Sequence, residues 1–166
     1  MVVGGQAVLL HGQPRLTRDI GIALGIEATE LKRVRSLADS LGLVPSVTDL
    51  EAFVRRTNVI PLTDSLTGLR IDMIFSFTPY ESEAIRRAVT VTFDEGTVRF
   101  ASVEDLIIHK LVAGRPRDIE DIAGILARQP SLDEGYLIKW LASFHEIVHR
   151  DLVQELRTLR QNQEFR

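Results

Sequence analysis

The period of the hydrophobic pattern changes once along this chain, at Ser102, and that change restricts the fold more than any other feature. Before it, short runs that alternate apolar and polar residues, the period of a strand with one buried face, are interleaved with short helical patterns. After it every segment repeats at helical spacing: "SVEDLIIHKLVAG", then "DIEDIAGILARQ", then "SLDEGYLIKWLASFHEIVHRDLVQELRTLR". Strands separated by helices, followed by helices alone, predict an α+β (mixed α/β) class: a mixed β-sheet flanked by helices, with a helical C-terminal tail.

The elements can be read one by one. Residues 1 to 3 read as the end of a buried strand, followed by Gly4-Gly5 and a short helix over "QAVLLHG" that stops at Gly12 and Pro14. "TRDIGIAL" is a strand with Ile20, Ile22 and Leu24 on one face and Asp19, Gly21 and Ala23 on the other. A helix follows from about Thr29 to Leu41, stopped by Gly42, and "TDLEAFVRR" is a second short one. "NVIPL" and "GLRIDMIFSF" are strands, the latter setting Ile71, Met73 and Phe75 opposite Arg70, Asp72 and Ile74. "ESEAIRRAV" is helical, and "VTVTF" with "TVRFA" forms a hairpin around an acidic-glycine turn. Ser102 and Asp105 form a capping box for the next helix.

Composition removes several function classes. The formal net charge of -3 gives no overall basic bias of the kind that announces nucleic acid. There is no cysteine, hence no disulfide, thiolate nucleophile or Cys-based metal site. The apolar start, "MVVGGQAVLLHG", lacks a basic leader, a cleavage site and a membrane-length span, so a cytoplasmic protein is expected, with no membrane partner.

Three constellations could carry chemistry, each with two readings. Gly4-Gly5 at a strand-to-helix junction is either a tight turn or a place where a phosphate approaches bare backbone and the helix N-H groups. Asp19 and Asp72 each stand on a strand face that carries few apolar side chains; they are solvated residues, or a carboxylate pair for Mg2+. Lys110 stands in the middle of the arc formed by Val103, Leu106, Ile107, Leu111 and Gly114, which should face the core. It therefore snorkels or meets a structural carboxylate, or else meets a phosphate or an active-site Asp. Beside it "GRPRD" groups Arg115, Arg117 and Asp118 between helices, where Asp118 as a helix N-cap would suffice.

A fourth match is weaker. "HEIVH" fits the H-E-x-x-H pattern, in which two histidines one helical turn apart bind Zn2+, so a zinc hydrolase through His145 and His149 is a remote alternative. A chance match on an amphipathic helix, with Phe144 and Val148 facing inward, is the simpler account.

Taken in order, "GGQAVLLHGQPRLTRDI", "RIDMIF" and "ASVEDLIIHKLVAGRPRDIEDI" resemble the minimal nucleotidyltransferase superfamily that includes DNA polymerase beta. More narrowly they resemble the branch of abortive-infection, type IV toxin-antitoxin toxins (AbiEii type) and related bacterial nucleotidyltransferase-like proteins. The resemblance covers roughly residues 2 to 128. It implies a nucleotidyltransferase-like domain over 1-128 and a C-terminal helical extension over 129-166 packed on it. It also implies that Gly4 and Gly5 open the helix that cradles the nucleotide's phosphates, with Arg15, Thr17 and Arg115 as further nucleotide contacts. Asp19 and Asp72 would hold the metal, and Asp19, Asp72, Lys110 and Asp118 would carry catalysis.

The implied activity is Mg2+- (or Mn2+-) dependent transfer of a nucleotidyl group from a nucleoside triphosphate to RNA, such as tRNA, or to protein. A cognate antitoxin is an implied partner. Two departures from the family pattern qualify this. Gly21 stands where the strand's second metal carboxylate is expected, which implies weakened or lost activity and raises, as the alternative, a catalytically inactive nucleotide- or partner-binding module of the same fold. The chain also begins at the strand itself, without the helix that usually precedes it in relatives. The long C-terminal amphipathic helices offer a face for a second copy, so a homo-oligomer is an open expectation.

Overall fold

The structure, a computed structural model, describes residues 1-129 and 131-164; Pro130 and the last two residues of the expected C-terminal extension lie outside the described residues. The chain divides into two compact units, one formed by Met1–Gln6 with Leu16–Phe100 and the other by Ala7–Arg15 with Ala101–Arg166. The change of hydrophobic period at Ser102 thus lies two residues past the end of the sheet-bearing segment.

The first unit is built on a seven-stranded mixed sheet. Its strands are β1 (Val2–Val3), β2 (Asp19–Ala23), β3 (Leu43–Pro45), β4 (Val59–Asp64), β5 (Arg70–Ile74), β6 (Val89–Phe93) and β7 (Gly96–Phe100), in the order β3-β4-β5-β2-β1-β7-β6. Two neighbouring pairs are parallel, β1 with β7 and β2 with β5; the others are antiparallel. The expected α+β class is what the chain adopts.

Three helices of this unit are α2 (Leu31–Ser40), α3 (Leu50–Thr57) and α4 (Pro79–Arg86), while α1 (Gly5–His11) begins in it and continues into the second unit. Val34 and Ala38 of α2 and Leu50 and Val54 of α3 pack with Ile60 and Leu62 of β4 and with Met73 and Phe75 beyond them. That cluster fixes which face of β5 is inward, and it leaves Arg70 and Asp72 on the other. The helix expected from Thr29 begins instead with a 3-10 turn over Ala28–Glu30. α4 starts two residues before the expected Glu81 because Thr78 and Glu81 form a capping box around Pro79: the Thr78 hydroxyl accepts from the Glu81 amide at 3.2 Å, and the Glu81 carboxylate accepts from the Thr78 amide at 2.9 Å.

The second unit is helical. α5 (Val103–Ala113) is enclosed by α6 (Pro116–Leu126), α7 (Glu134–Val148) and α8 (Leu152–Glu164). Leu106, Ile107, Ile108 and Leu111 are fully buried, and so is Asp105. A carboxylate at that depth needs donors. The Ser102 hydroxyl supplies one at 2.6 Å and the Tyr136 hydroxyl another at 2.7 Å, while Ser102 also caps α5 by accepting from the Asp105 amide. At its other end α5 stops on Gly114, in the left-handed region with φ of 62°. The Arg150 guanidinium covers that end, donating to the Leu111 carbonyl at 3.1 Å and pairing with Glu155. No helix among the described residues is long and apolar enough to cross a membrane.

Candidate functional site

In the first unit, β2 and β5 lie side by side with Asp19 opposite Arg70 and Gly21 opposite Asp72. Residues paired across neighbouring strands project to the same face, so Asp19, Gly21, Arg70 and Asp72 share one face, away from Met73 and Phe75. Pairing therefore brings the two candidate metal carboxylates onto adjacent strands. The Thr17 hydroxyl donates to Asp19 Oδ1 at 3.0 Å and steadies that carboxylate at the mouth of β2. Burial, then the charge of Asp19, push the Asp72 carboxyl above the usual carboxylate range, with Arg70 pulling the other way.

On its other side β2 pairs with β1, and Val3 stands opposite Gly21. A Cβ added at Gly21 would lie 3.0 Å from Val3 Cγ2, closer than ordinary van der Waals contact. The isopropyl group of a buried valine therefore leans over the position where another carboxylate of this face would start. Among the described residues no three His, Asp or Glu side chains converge as a metal cluster. The face offers two carboxylates rather than three.

Gly4 joins β1 to α1 with φ of 68°, a left-handed backbone that a side chain would strain, and the space beside it is open. Gly5 is the first residue of α1. Gly4, Gly5, Thr17, Asp19 and Asp72 all belong to the first unit.

The other candidates belong to the second unit, where they form one ion-pair network. The Lys110 ammonium, only 6% exposed, donates to Asp118 Oδ1 at 2.9 Å and to Asp121 Oδ2 at 2.6 Å. Asp121 also receives Arg15 through two bonds, from Nε at 2.7 Å and from Nη2 at 2.9 Å. Asp118 Oδ2 receives Arg115 Nε at 2.7 Å and the Arg115 amide at 3.3 Å. Burial alone would raise both carboxyls, but the hydrogen bonds and charges of Lys110 with Arg115, and of Arg15 with Lys110, outweigh it and hold Asp118 and Asp121 below the usual range.

Lys110 is thus turned inward, as its position on the helix predicts, and it meets two carboxylates, Asp118 and Asp121. The account of Asp118 as the residue capping α6 is corrected: the helix starts on Pro116 with Arg115 as N-cap, and Asp118, in the first turn, folds back onto the Arg115 amide. Asp121 was the partner least visible in the sequence. Its signal is the i, i+3 spacing to Asp118, which places two carboxylates on one side of α6 toward a single lysine.

The zinc alternative is overturned by local backbone. H-E-x-x-H chemistry needs both histidines on one face of a continuing helix. Here α7 ends at Val148, and His149 is its C-cap in the left-handed region with φ of 53°. His145 Nδ1 is engaged with the Arg150 carbonyl at 3.0 Å, and both imidazoles are exposed on the surface.

Comparison with known proteins bears on the whole chain. A solved structure, that of an antigenic nucleotidyltransferase-like protein from Paracoccidioides brasiliensis, has a similar fold, with a TM-score of 0.52 at 13% identity over 89% of this chain and 83% of that one. At that identity the similarity concerns the fold alone. No curated protein matches the chain. A family model described as "Nucleotidyltransferase of unknown function (DUF6036)" matches residues 1–156. With the nucleotidyltransferase-like fold and that match over nearly its full length, the chain belongs to this nucleotidyltransferase family of unknown function.

Proposed function

We propose that the protein binds a nucleoside triphosphate together with Mg2+ or Mn2+ at the face bearing Asp19 and Asp72, and transfers its nucleotidyl group to an RNA or protein acceptor. The observation that carries this reading is the carboxylate pair itself. Two acidic side chains occupy adjacent parallel strands, and the charge of one helps to raise the carboxyl of the other. A divalent cation relieves that repulsion.

The donor set fits one such ion. Mg2+ prefers hard oxygen ligands and is usually held by one or two carboxylates with substrate phosphates completing the shell. When bound, the cation neutralises triphosphate charge and aligns it for in-line displacement. The chain's own residues do the rest. Thr17 orients the Asp19 carboxylate, and the bare backbone at Gly4 and Gly5 lets a phosphate approach the first N-H groups of α1. Arg115, with 75% of its side chain exposed, pairs with Asp118 within the second unit. Lys110, Asp118 and Arg15 serve first to order the second unit, since their charges are already matched within it.

A second reading is favoured by one feature. With Val3 packed against Gly21, the face lacks a carboxylate of the metal set that the family resemblance implies, which supports a binding module that retains nucleotide without transferring it. One assay separates the two: incubation with each labelled nucleoside triphosphate, Mg2+ or Mn2+ and a tRNA pool. Label transfer that Asp72→Ala abolishes supports the enzyme. Nucleotide-dependent thermal stabilisation without transfer supports the binder, and neither result would sink both.

The narrower likeness to AbiEii-type toxins extends the proposal to growth arrest countered by a cognate antitoxin. Controlled expression in a bacterium tests it; growth unaffected by induction removes the toxin role, whereas arrest that Asp72→Ala abolishes supports it.

A further inference from the structure

The two edges of the sheet are built differently. β3, at one edge, has three residues and ends in Pro45, so brevity and a missing N-H discourage further pairing. β6, at the other, has five residues, Val89-Thr90-Val91-Thr92-Phe93, with no charge and no proline, all of types that favour strands. Among the described residues its only strand partner is β7, which joins the rest of the sheet at the single position Val2 opposite Phe100. The strand is open on both faces: Val89 is 42% and Phe93 53% exposed, Thr90 and Thr92 are exposed, and Val91 is half-buried. Natural sheets commonly blunt such an edge with lysine, proline or a bulge, and this one is left bare.

We propose that β6 pairs with β6 of a second copy of this chain, antiparallel, about a two-fold axis at Val91. The sequence around Val91 is self-complementary in that register. Val89 faces Phe93 of the second copy, Thr90 faces Thr92, and Val91 faces its own equivalent. Aliphatic with aromatic and threonine with threonine are among the cross-strand pairs that stabilise sheets. Parallel pairing in register would instead set the acidic turns Asp94-Glu95 of the two copies side by side, which disfavours it. The contact is isologous, so it closes at two copies, and the blunted β3 edge offers no route to a longer array. This inference stands apart from the nucleotide reading and uses none of its residues.

The full chain is examined by sedimentation velocity over a concentration series. A monomer-dimer equilibrium is expected, abolished by Val91→Lys, which sets two ammonium groups together on the axis, and weakened several-fold by Phe93→Ala, which removes both Val89–Phe93 pairs. Because the chain has no cysteine, Val91→Cys can form only an intermolecular disulfide. Directly opposed residues have Cβ atoms close to the separation such a bond needs. Under mild oxidation Val91→Cys should give a covalent dimer, and Val44→Cys on the β3 edge should not. A monomer at every concentration with no crosslink above the Val44→Cys control overturns the proposal, as does a dimer that Val91→Lys leaves intact. If circular dichroism shows that Val91→Lys fails to fold, the crosslink decides alone.

Discussion

Replacing Lys110 with methionine keeps the length of the side chain and removes its charge from the centre of the second unit. Asp118 and Asp121, with side chains 6% and 4% exposed, then face each other without the cation between them. Removing one partner of a buried ion pair usually costs about 3–5 kcal/mol, because the remaining charge is desolvated and unmatched. Here each carboxylate keeps an arginine, Asp121 through two bonds from Arg15 and Asp118 through Arg115. Those contacts place the expected loss at the lower end, about 3 kcal/mol. Arg115→Ala should cost less than about 1 kcal/mol, since that side chain is 75% exposed and solvent screens its pairing. Urea unfolding followed by fluorescence reads the difference cleanly, because Trp140 is the only tryptophan and lies on α7 within the same unit. The triple change Lys110→Met, Asp118→Asn and Asp121→Asn should recover much of the loss, since neutral amides need no counter-charge. A Lys110→Met loss under about 1 kcal/mol, or an Arg115→Ala loss equal to it, would refute the assignment of Lys110 as the centre of the network.

Three further outcomes are expected. Asp118 and Asp121 are held below the usual carboxylate range, so their contribution is complete above the unfolded value of about 3.9 and is lost as pH falls through the native ones. Acid titration of the Trp140 signal should show the second unit weakening below about pH 4, with a flatter acid limb in Asp121→Asn. Gly114→Ala should destabilise by at least about 1 kcal/mol in the same urea experiment, from the left-handed backbone alone. Its Cβ would also fall against Arg150 Nη1 and drive the guanidinium off the Leu111 carbonyl. Gly21→Asp should cost about 1–3 kcal/mol by overpacking against Val3, and Val3→Ala in the same chain should relieve most of it. Calorimetric titration should then show tighter Mg2+ binding in the double variant than in the parent, and unchanged affinity would count against the Asp19–Asp72 face as the metal site.

Most of the fold was legible because it rests on periodicity and punctuation. The alternation in β2 and β5, the Gly42 and Gly114 stops and the Ser102 cap are local signals, and each element they mark is present. What escaped is what only tertiary pairing creates. β3 is three residues long, too short for a period to register, and it is a strand because β4 lies beside it. The break at His149 escaped as well, since "HEIVHRDL" reads as unbroken helix; the left-handed turn there is tied in place by the Arg150 carbonyl at His145 and by Asp151 capping the next helix.

The candidate site divides along the same line. Which face carries Asp19 and Asp72 could be read from alternation, and that Lys110 turns inward could be read from its helix. That Lys110 meets Asp121 could not, because the contact joins two helices. Position 21 shows how far this matters for chemistry. In the sequence Gly21 is an absence, a carboxylate that is missing and could be put back. In the folded sheet it is an occupied place, because the antiparallel register sets Val3 opposite it with a methyl group against the site of any Cβ. A missing charge and a crowded volume are different obstacles: the first is removed by one substitution, the second also needs the Val3 side chain to shift by a few tenths of an ångström. On the proposed reading, the capacity of this face for a metal is a joint property of β1 and β2, and Gly21→Asp is to be measured together with Val3→Ala.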